Sequence, residues 1–400
     1  MSPTKRNKGK FALAILLALL LALGVAACGG GSSSSDSSSS EAPASEEASN
    51  EGETENAAEE SEGGGEESEV EEGKQVSIAM EEILTGVSFG QEIKEGAEAF
   101  AAEDGKVDLE INGPPSTEPE VAQKQATDML AKQPEAFGFA PFPPELWTRT
   151  AANINEQVGP NVLTFNERPT SEVDDVSSSP VQIFVGTNDH GEAKEMLEET
   201  IKLAKLPASS TGEVILGQCV AQEAGVLAQR TEGFEEALEN LLPKASVRKF
   251  TSEVEPQANT EAWTTMLAAH PDPILATGTC DQDGTSLATL KKTKGYKMVV
   301  GAMELPPATQ AGLKEKSVTA VMGTNWWLQG YTAARMLAEA ARGAELPEGF
   351  VSTGYKLFTP EDVAEVEERS KDPASFYKAD IEELFGNGMP SAVPIEEAWK

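Results

Sequence analysis

From Gln75 onwards the chain alternates short β-branched runs with amphipathic helical stretches, and it does so in two similar series. Such a rhythm needs parallel sheets with helices on both faces, which restricts the fold to α/β with two doubly wound lobes. In the first half, strands are read at Val76 to Met80, Val107 to Ile111, Ala136 to Phe139, Val162 to Phe165 and Val181 to Val185. In the second they fall at Val214 to Gly217, Val247 to Thr251, Ile274 to Thr277, Met298 to Gly301 and Val318 to Met322. Helices between them include Gly90 to Glu103, Pro144 to Val158, Leu227 to Leu242, Thr285 to Lys292 and Gln329 to Arg342. Ligands of such sheets sit outside the carboxyl ends of the strands, so two facing lobes make a cleft there.

A formal net charge of −36 repels nucleic acid and anionic headgroups, so nucleic acid is excluded as a partner. Much of that charge lies between Gly29 and Gly73, which holds no Lys or Arg and is rich in Ser, Gly and Glu. This composition cannot bury enough apolar surface to fold and reads as a solvated tether. Before it, Lys5, Arg6, Lys8 and Lys10 flank an apolar run from Phe11 to Leu21, as in an export leader. The run is too short to read first as a spanning helix. Leu23-Gly24-Val25-Ala26-Ala27-Cys28 resembles the lipobox of bacterial lipoproteins, which implies removal of residues 1–27 and lipidation of Cys28. An ordinary secretory signal or an uncleaved anchor is the alternative.

Several segments, in order, carry a wider resemblance. Phe89 stands ahead of Gly96-Ala97; Phe184-Val185-Gly186-Thr187-Asn188-Asp189 forms a crossover; Arg230-Thr231-Glu232-Gly233-Phe234 opens a helix. Thr279-Cys280-Asp281, Val299-Val300-Gly301 and the stretch Thr319 to Gly330 follow. Over about Gln75 to Thr359 this set resembles the ribose-type (type I periplasmic) sugar-binding proteins of bacterial ABC importers. The resemblance implies two doubly wound lobes joined by a hinge, a small-molecule ligand, an ABC permease partner and no cofactor. The chain departs from the family pattern at Met303, Ala193, Cys280 and Thr324, and Asn188-Asp189 reverses the usual crossover pair, so sugar specificity does not transfer.

Sugar-like ligands expose hydroxyls and an apolar ring face, so planar polar groups and aromatic plates are sought. Phe89 is a stacking candidate or a core aromatic, and Trp326, next to Trp327, faces the cleft or packs on the hinge. Arg230 offers a fork of donors at a helix start where a cation is otherwise unfavourable. Asn166 ends a strand as a ligand contact or a turn residue, and Asp281 reads more readily as a helix cap than as a contact. Glu82, Thr324, Asn325 and Cys280 complete the candidate set by position. Cys219 and Cys280 each follow a strand, on neighbouring strands of a 2-1-3 sheet, so they form a disulfide at the cleft edge or remain two buried thiols.

No catalytic constellation emerges: His190 and His270 lack metal-ligand spacing, and no nucleophile elbow, phosphate loop or dinucleotide fingerprint follows a strand. Asp281-Gln282-Asp283-Gly284 lacks the distal ligands of a calcium loop, so no metal is assigned. The sequence therefore reads as a non-enzymatic, monomeric, lipid-anchored solute-binding protein at the outer face of the membrane. Expected boundaries are 1–27 leader, 28–74 tether, 75–186 with 324–349 lobe one, 187–323 with 350–372 lobe two, and 373–400 tail. A receptor presenting its ligand to a membrane sensor, or less readily an anchored enzyme, is the alternative.

Overall fold

The computed structural model describes residues 71, 73–169 and 179–399. The expected leader and Cys28 lie outside them, as does all of the tether except its last residues. Those last residues are already part of the fold: the Glu71 amide donates to Arg342 O (3.0 Å) and Arg342 Nε donates to Lys74 O (3.1 Å).

The described residues form two six-stranded sheets. The first has the order β2-β1-β3-β4-β5-β11, built from β1 (Val76–Glu81), β2 (Val107–Asn112), β3 (Ala136–Phe139), β4 (Val162–Phe165), β5 (Ile183–Gly186) and β11 (Gly349–Ser352). The second has the order β7-β6-β8-β9-β10-β12, from β6 (Glu213–Gln218), β7 (Ser246–Thr251), β8 (Leu275–Gly278), β9 (Val299–Met303), β10 (Ala320–Thr324) and β12 (Tyr355–Phe358). Every pairing is parallel except β10 with β12. The central strands β3, β4 and β8 are buried along their whole length, as sheets covered on both faces demand.

Among the described residues, nine α-helices connect these strands: α1 (Ser88–Asp104), α2 (Pro119–Leu130), α3 (Thr148–Val158), α4 (Asp189–Leu203), α5 (Gly225–Leu241), α6 (Pro256–Ala269), α7 (Asp281–Lys294), α8 (Pro307–Lys314) and α9 (Trp326–Ala341). Local chemistry sets several of their ends. Proline, which lacks the N–H that a first turn leaves unpaired, opens α2, α6 and α8. In α7, Asp281 and Asp283 lie in the first turn and Lys291, Lys292 and Lys294 in the last, matching the helix dipole. Helices α1 and α9 touch backbone to backbone: a Cβ on Gly96 would lie 1.9 Å from Trp327 O, and one on Gly330 the same distance from Ile93 O.

Strand β11 pairs with β5, so the expected return to lobe two at residue 350 falls later, after Ser352. After β12 the chain forms α10 (Val363–Lys371) and then, in the tail, α11 (Pro373–Phe376) and α12 (Lys378–Phe385). Val366 of α10 joins the core of the second lobe, whereas Tyr377 and Phe385 join that of the first, so the chain passes between lobes once more after β12. Near the end, Val393 bridges Phe350, and Trp399 is buried beside Phe184 and Phe350.

Candidate ligand cleft

The carboxyl ends of both sheets converge on one cavity of about 80 Å³. Ile83 and Leu84 follow β1, Phe142 follows β3 and Asn166 follows β4, while Val87 and Phe89 stand at the start of α1. The second lobe supplies Cys219 and Val220 after β6, Thr279, Cys280 and Asp281 after β8, Glu304 after β9, and Val226, Leu227 and Arg230 from α5. Trp326, the first residue of α9, packs its ring against Phe89 at 5.6 Å.

Beside the cavity, among the described residues, three polar contacts cross from lobe to lobe. Ser88 Oγ donates to Asp281 Oδ2 (2.9 Å), the Val226 amide at the start of α5 donates to Glu167 Oε2 (3.2 Å), and Trp326 Nε1 donates to Glu304 Oε2 (2.6 Å). Glu167 thereby supplies from the opposite lobe an acceptor that α5 lacks, since Ala224 at its N-cap has none. Burial raises Asp281 to about 6 against the lowering effect of Ser88. Ser88→Ala is expected to weaken ligand binding about fivefold, the worth of one hydrogen bond present only in the closed state, with no change in the unfolding midpoint of ligand-free protein beyond about 0.5 kcal/mol. Calorimetric titration beside urea unfolding checks both halves.

Arg230 is buried in a nest of carboxylates and does not present its fork to the cavity. Its Nε donates to Asp189 Oδ1 (2.9 Å), Nη1 to Thr279 O (3.0 Å), and Nη2 faces Glu304 Oε1 (2.9 Å) and Glu192 Oε1 (2.6 Å). Burial works to lower the arginine pKa, but Glu192, Glu304 and Asp189 outweigh it and the net shift is upward. Burial also raises Asp189 and Glu192 above ordinary carboxylates, against the pull of Arg230. The expected helix-start arginine is therefore in the cleft wall, with each of its three nitrogens already committed.

Of the sequence candidates, Phe89, Asn166, Arg230, Cys280, Asp281 and Trp326 line the cavity. Glu82, Thr324 and Asn325 do not, each for a local reason. Thr324 is fully buried with its Oγ1 between Glu192 Oε2 (2.8 Å) and Glu304 Oε1 (3.2 Å). Asn325 is spent on the connections between lobes: its Nδ2 donates to Thr353 O (2.9 Å) and its Oδ1 accepts from Tyr377 (3.1 Å). The Glu82 carboxylate is buried without a hydrogen-bond partner, under the influence of Lys94 and Glu98 of α1. The N-cap of α7 is Cys280, not Asp281, and Asp283 at the third helical position closes the capping box: its Oδ2 accepts from the Cys280 amide (3.0 Å) and its Oδ1 from Trp263 (2.6 Å). Cys219 and Cys280 are paired as a disulfide, with Cα atoms 5.8 Å apart. The aliphatic lining and the cross-lobe roles of Ser88 and Glu167 are not legible from residue type; position just past a strand end or at a helix start is the available signal.

Burial pushes the Glu82 carboxyl from the ordinary carboxylate range up to about 8. A raised carboxylate contributes stability that is full below about pH 4.5 and lost as pH climbs towards 8. Glu82→Gln keeps the neutral form at all pH values, so it is expected to flatten this decline and to unfold later than wild type at pH 8, by on the order of 1–3 kcal/mol. Urea midpoints at pH 5 and pH 8 measure it.

Two doubly wound lobes, crossing segments between them and a shared cavity at their strand ends define a two-lobed binding protein. The model of the periplasmic binding protein domain matches residues 84–345, and the chain belongs to that family. Its members are binding proteins rather than enzymes, and membership carries an extracytoplasmic location. No curated protein matches the sequence. A solute-binding protein from Burkholderia graminis in complex with D-arabinose is similar at 20% identity and TM-score 0.64, covering 72% of this chain and 97% of that one. GanP, a glucose-galactose binding protein from Geobacillus stearothermophilus, is similar at 20% identity and TM-score 0.63, covering 72% and 99%. A solute-binding protein from Bacillus halodurans with bound myo-inositol is similar at 16% identity and TM-score 0.64, covering 75% and 99%. At these identities the likeness is one of fold.

Proposed function

We propose that this protein is held at the outer face of the membrane by a lipid on Cys28, captures a small solute of the sugar class between its lobes as a monomer, and delivers it to an ABC importer. The observation that carries capture is a cavity walled by residues of both lobes and stitched across by Ser88–Asp281, Glu167–Val226 and Trp326–Glu304. Those contacts exist only with the lobes together, so a ligand seated between them favours the closed state by its differential affinity. The segments after β5, β10 and β11 absorb the rotation while each lobe moves as a body. Support for the sugar class comes from the D-arabinose, glucose-galactose and myo-inositol proteins that share the fold. An acidic tether beyond Cys28 supports a domain lifted clear of the membrane.

Thermal unfolding of the purified protein against sugars and cyclitols tests the reading. A true ligand at a hundredfold excess over its Kd adds about 2.7 kcal/mol of stability. Absence of any shift across sugars and cyclitols, at millimolar concentration, overturns the sugar class. Labelling of the expressed protein with a radioactive fatty acid, lost in Cys28→Ser, tests the anchor.

A further inference from the structure

The cavity combines an apolar lining with polar groups of which most are already occupied. The three nitrogens of Arg230 are committed, Glu304 accepts from Arg230 and Trp326, and one Asp281 oxygen accepts from Ser88 and Gln282. Thr279 Oγ1 lies 2.6 Å from Glu223 Oε1, and its carbonyl serves Arg230. What remains towards the ligand is largely aliphatic and aromatic: Ile83, Leu84, Val87 and Phe89 from one lobe, Val226 and Leu227 from the other. A hydroxyl pressed against such a wall surrenders its water partners and gains none, so an unmodified hexose strands several of them.

One lining residue points the other way. Asn166 is 5% exposed, its Oδ1 has no hydrogen-bond partner, and its backbone lies in the left-handed region at φ 61° directly after β4. The Asn166 amide is thus an unpaired polar group in the cavity lining, suited to one hydroxyl of a ligand.

We propose that the ligand is a sugar derivative with an enlarged apolar face, either deoxygenated or carrying an alkyl or aryl group, with one hydroxyl hydrogen-bonded to the Asn166 side-chain amide. The proposal rests on the sugar-class reading and narrows it. Ile83, Leu84, Val87, Val226 and Leu227 select against hydroxyls by leaving them unpaired, and Asn166 sets orientation.

Matched pairs titrated calorimetrically into the purified protein test it: galactose with 6-deoxygalactose, and glucose with its methyl and phenyl β-glucosides. The expected result is that at least one derivative binds about tenfold or more tightly than its parent. In Asn166→Gly, which keeps the left-handed backbone accessible, that derivative binds about tenfold more weakly while the unfolding midpoint stays close to wild type. Parents that bind as tightly as their derivatives overturn the proposal and leave the sugar class standing. Unchanged affinity in Asn166→Gly overturns the role of Asn166. If no parent or derivative binds, the sugar class itself falls and this proposal with it.

Discussion

Arg230→Ala is expected to destabilise the protein by about 3–5 kcal/mol, enough to leave much of it unfolded, because it strands the carboxylates of Asp189, Glu192 and Glu304 in a buried site. Read from sequence as a fork of donors towards a ligand, Arg230 would on removal cost affinity and leave the fold intact. The difference lies in where the guanidinium points: it neutralises acidic groups of its own lobe, so it is needed before any ligand arrives. Lysine is no substitute, because one ammonium cannot reach Nε, Nη1 and Nη2 partners together. The loss depends on pH with a definite sign. Burial holds Asp189 and Glu192 above their ordinary range, and removing the cation removes the main opposing influence, so their protonated forms gain further. Stability of the variant is then greatest below the unfolded carboxylate range and falls as pH rises. Urea unfolding at pH 5 and pH 8 is expected to show the larger deficit at pH 8; equal deficits would assign the cost to lost packing instead.

Gly96→Val is expected to cost about 3 kcal/mol and to weaken ligand binding at least about tenfold. The new side chain meets backbone rather than a movable side chain: Trp327 O and the Tyr331 amide stand within 1.9 and 3.0 Å of the added Cβ. Helices α1 and α9 must separate to admit it. Phe89 stands at the start of one and Trp326 at the start of the other, so separation opens the ring pair that forms part of the cavity wall. A variant that loses stability yet binds as wild type would show that the helix crossing does not set the spacing of that pair. Unfolding and titration on the same preparation distinguish the two outcomes.

Strands β3 and β4 lie at the bounds read from sequence, because each is a continuous apolar run set off by turn residues. Strands β11 and β12 were not read: four-residue segments at sheet edges are defined by the remote partners β5 and β10, which local periodicity does not register. Helix α7 begins at Asp281, not at Thr285, since its polar first turn reads as loop until Trp263 and Asn259 are seen to bury Asp283. The stretch Pro144 to Val158 divides into a short 3-10 turn and α3, following the prolines at 143 and 144. At the site, positions were legible and allegiances were not. Residues just past strand ends reach the cavity by topology, but the partners of Arg230 come from α4 and from the end of β9.

Arg369 of α10 donates to Gly323 O (3.2 Å), Thr324 O (2.5 Å) and Glu92 of α1 (3.3 Å), just before the chain passes to the first lobe in α11 and α12. A pivot threaded by four passages of chain, one of them bolted to another by an arginine, has fewer open arrangements than a pivot of three. Less disorder is then surrendered on closing, so more of the ligand's contact energy is retained as affinity.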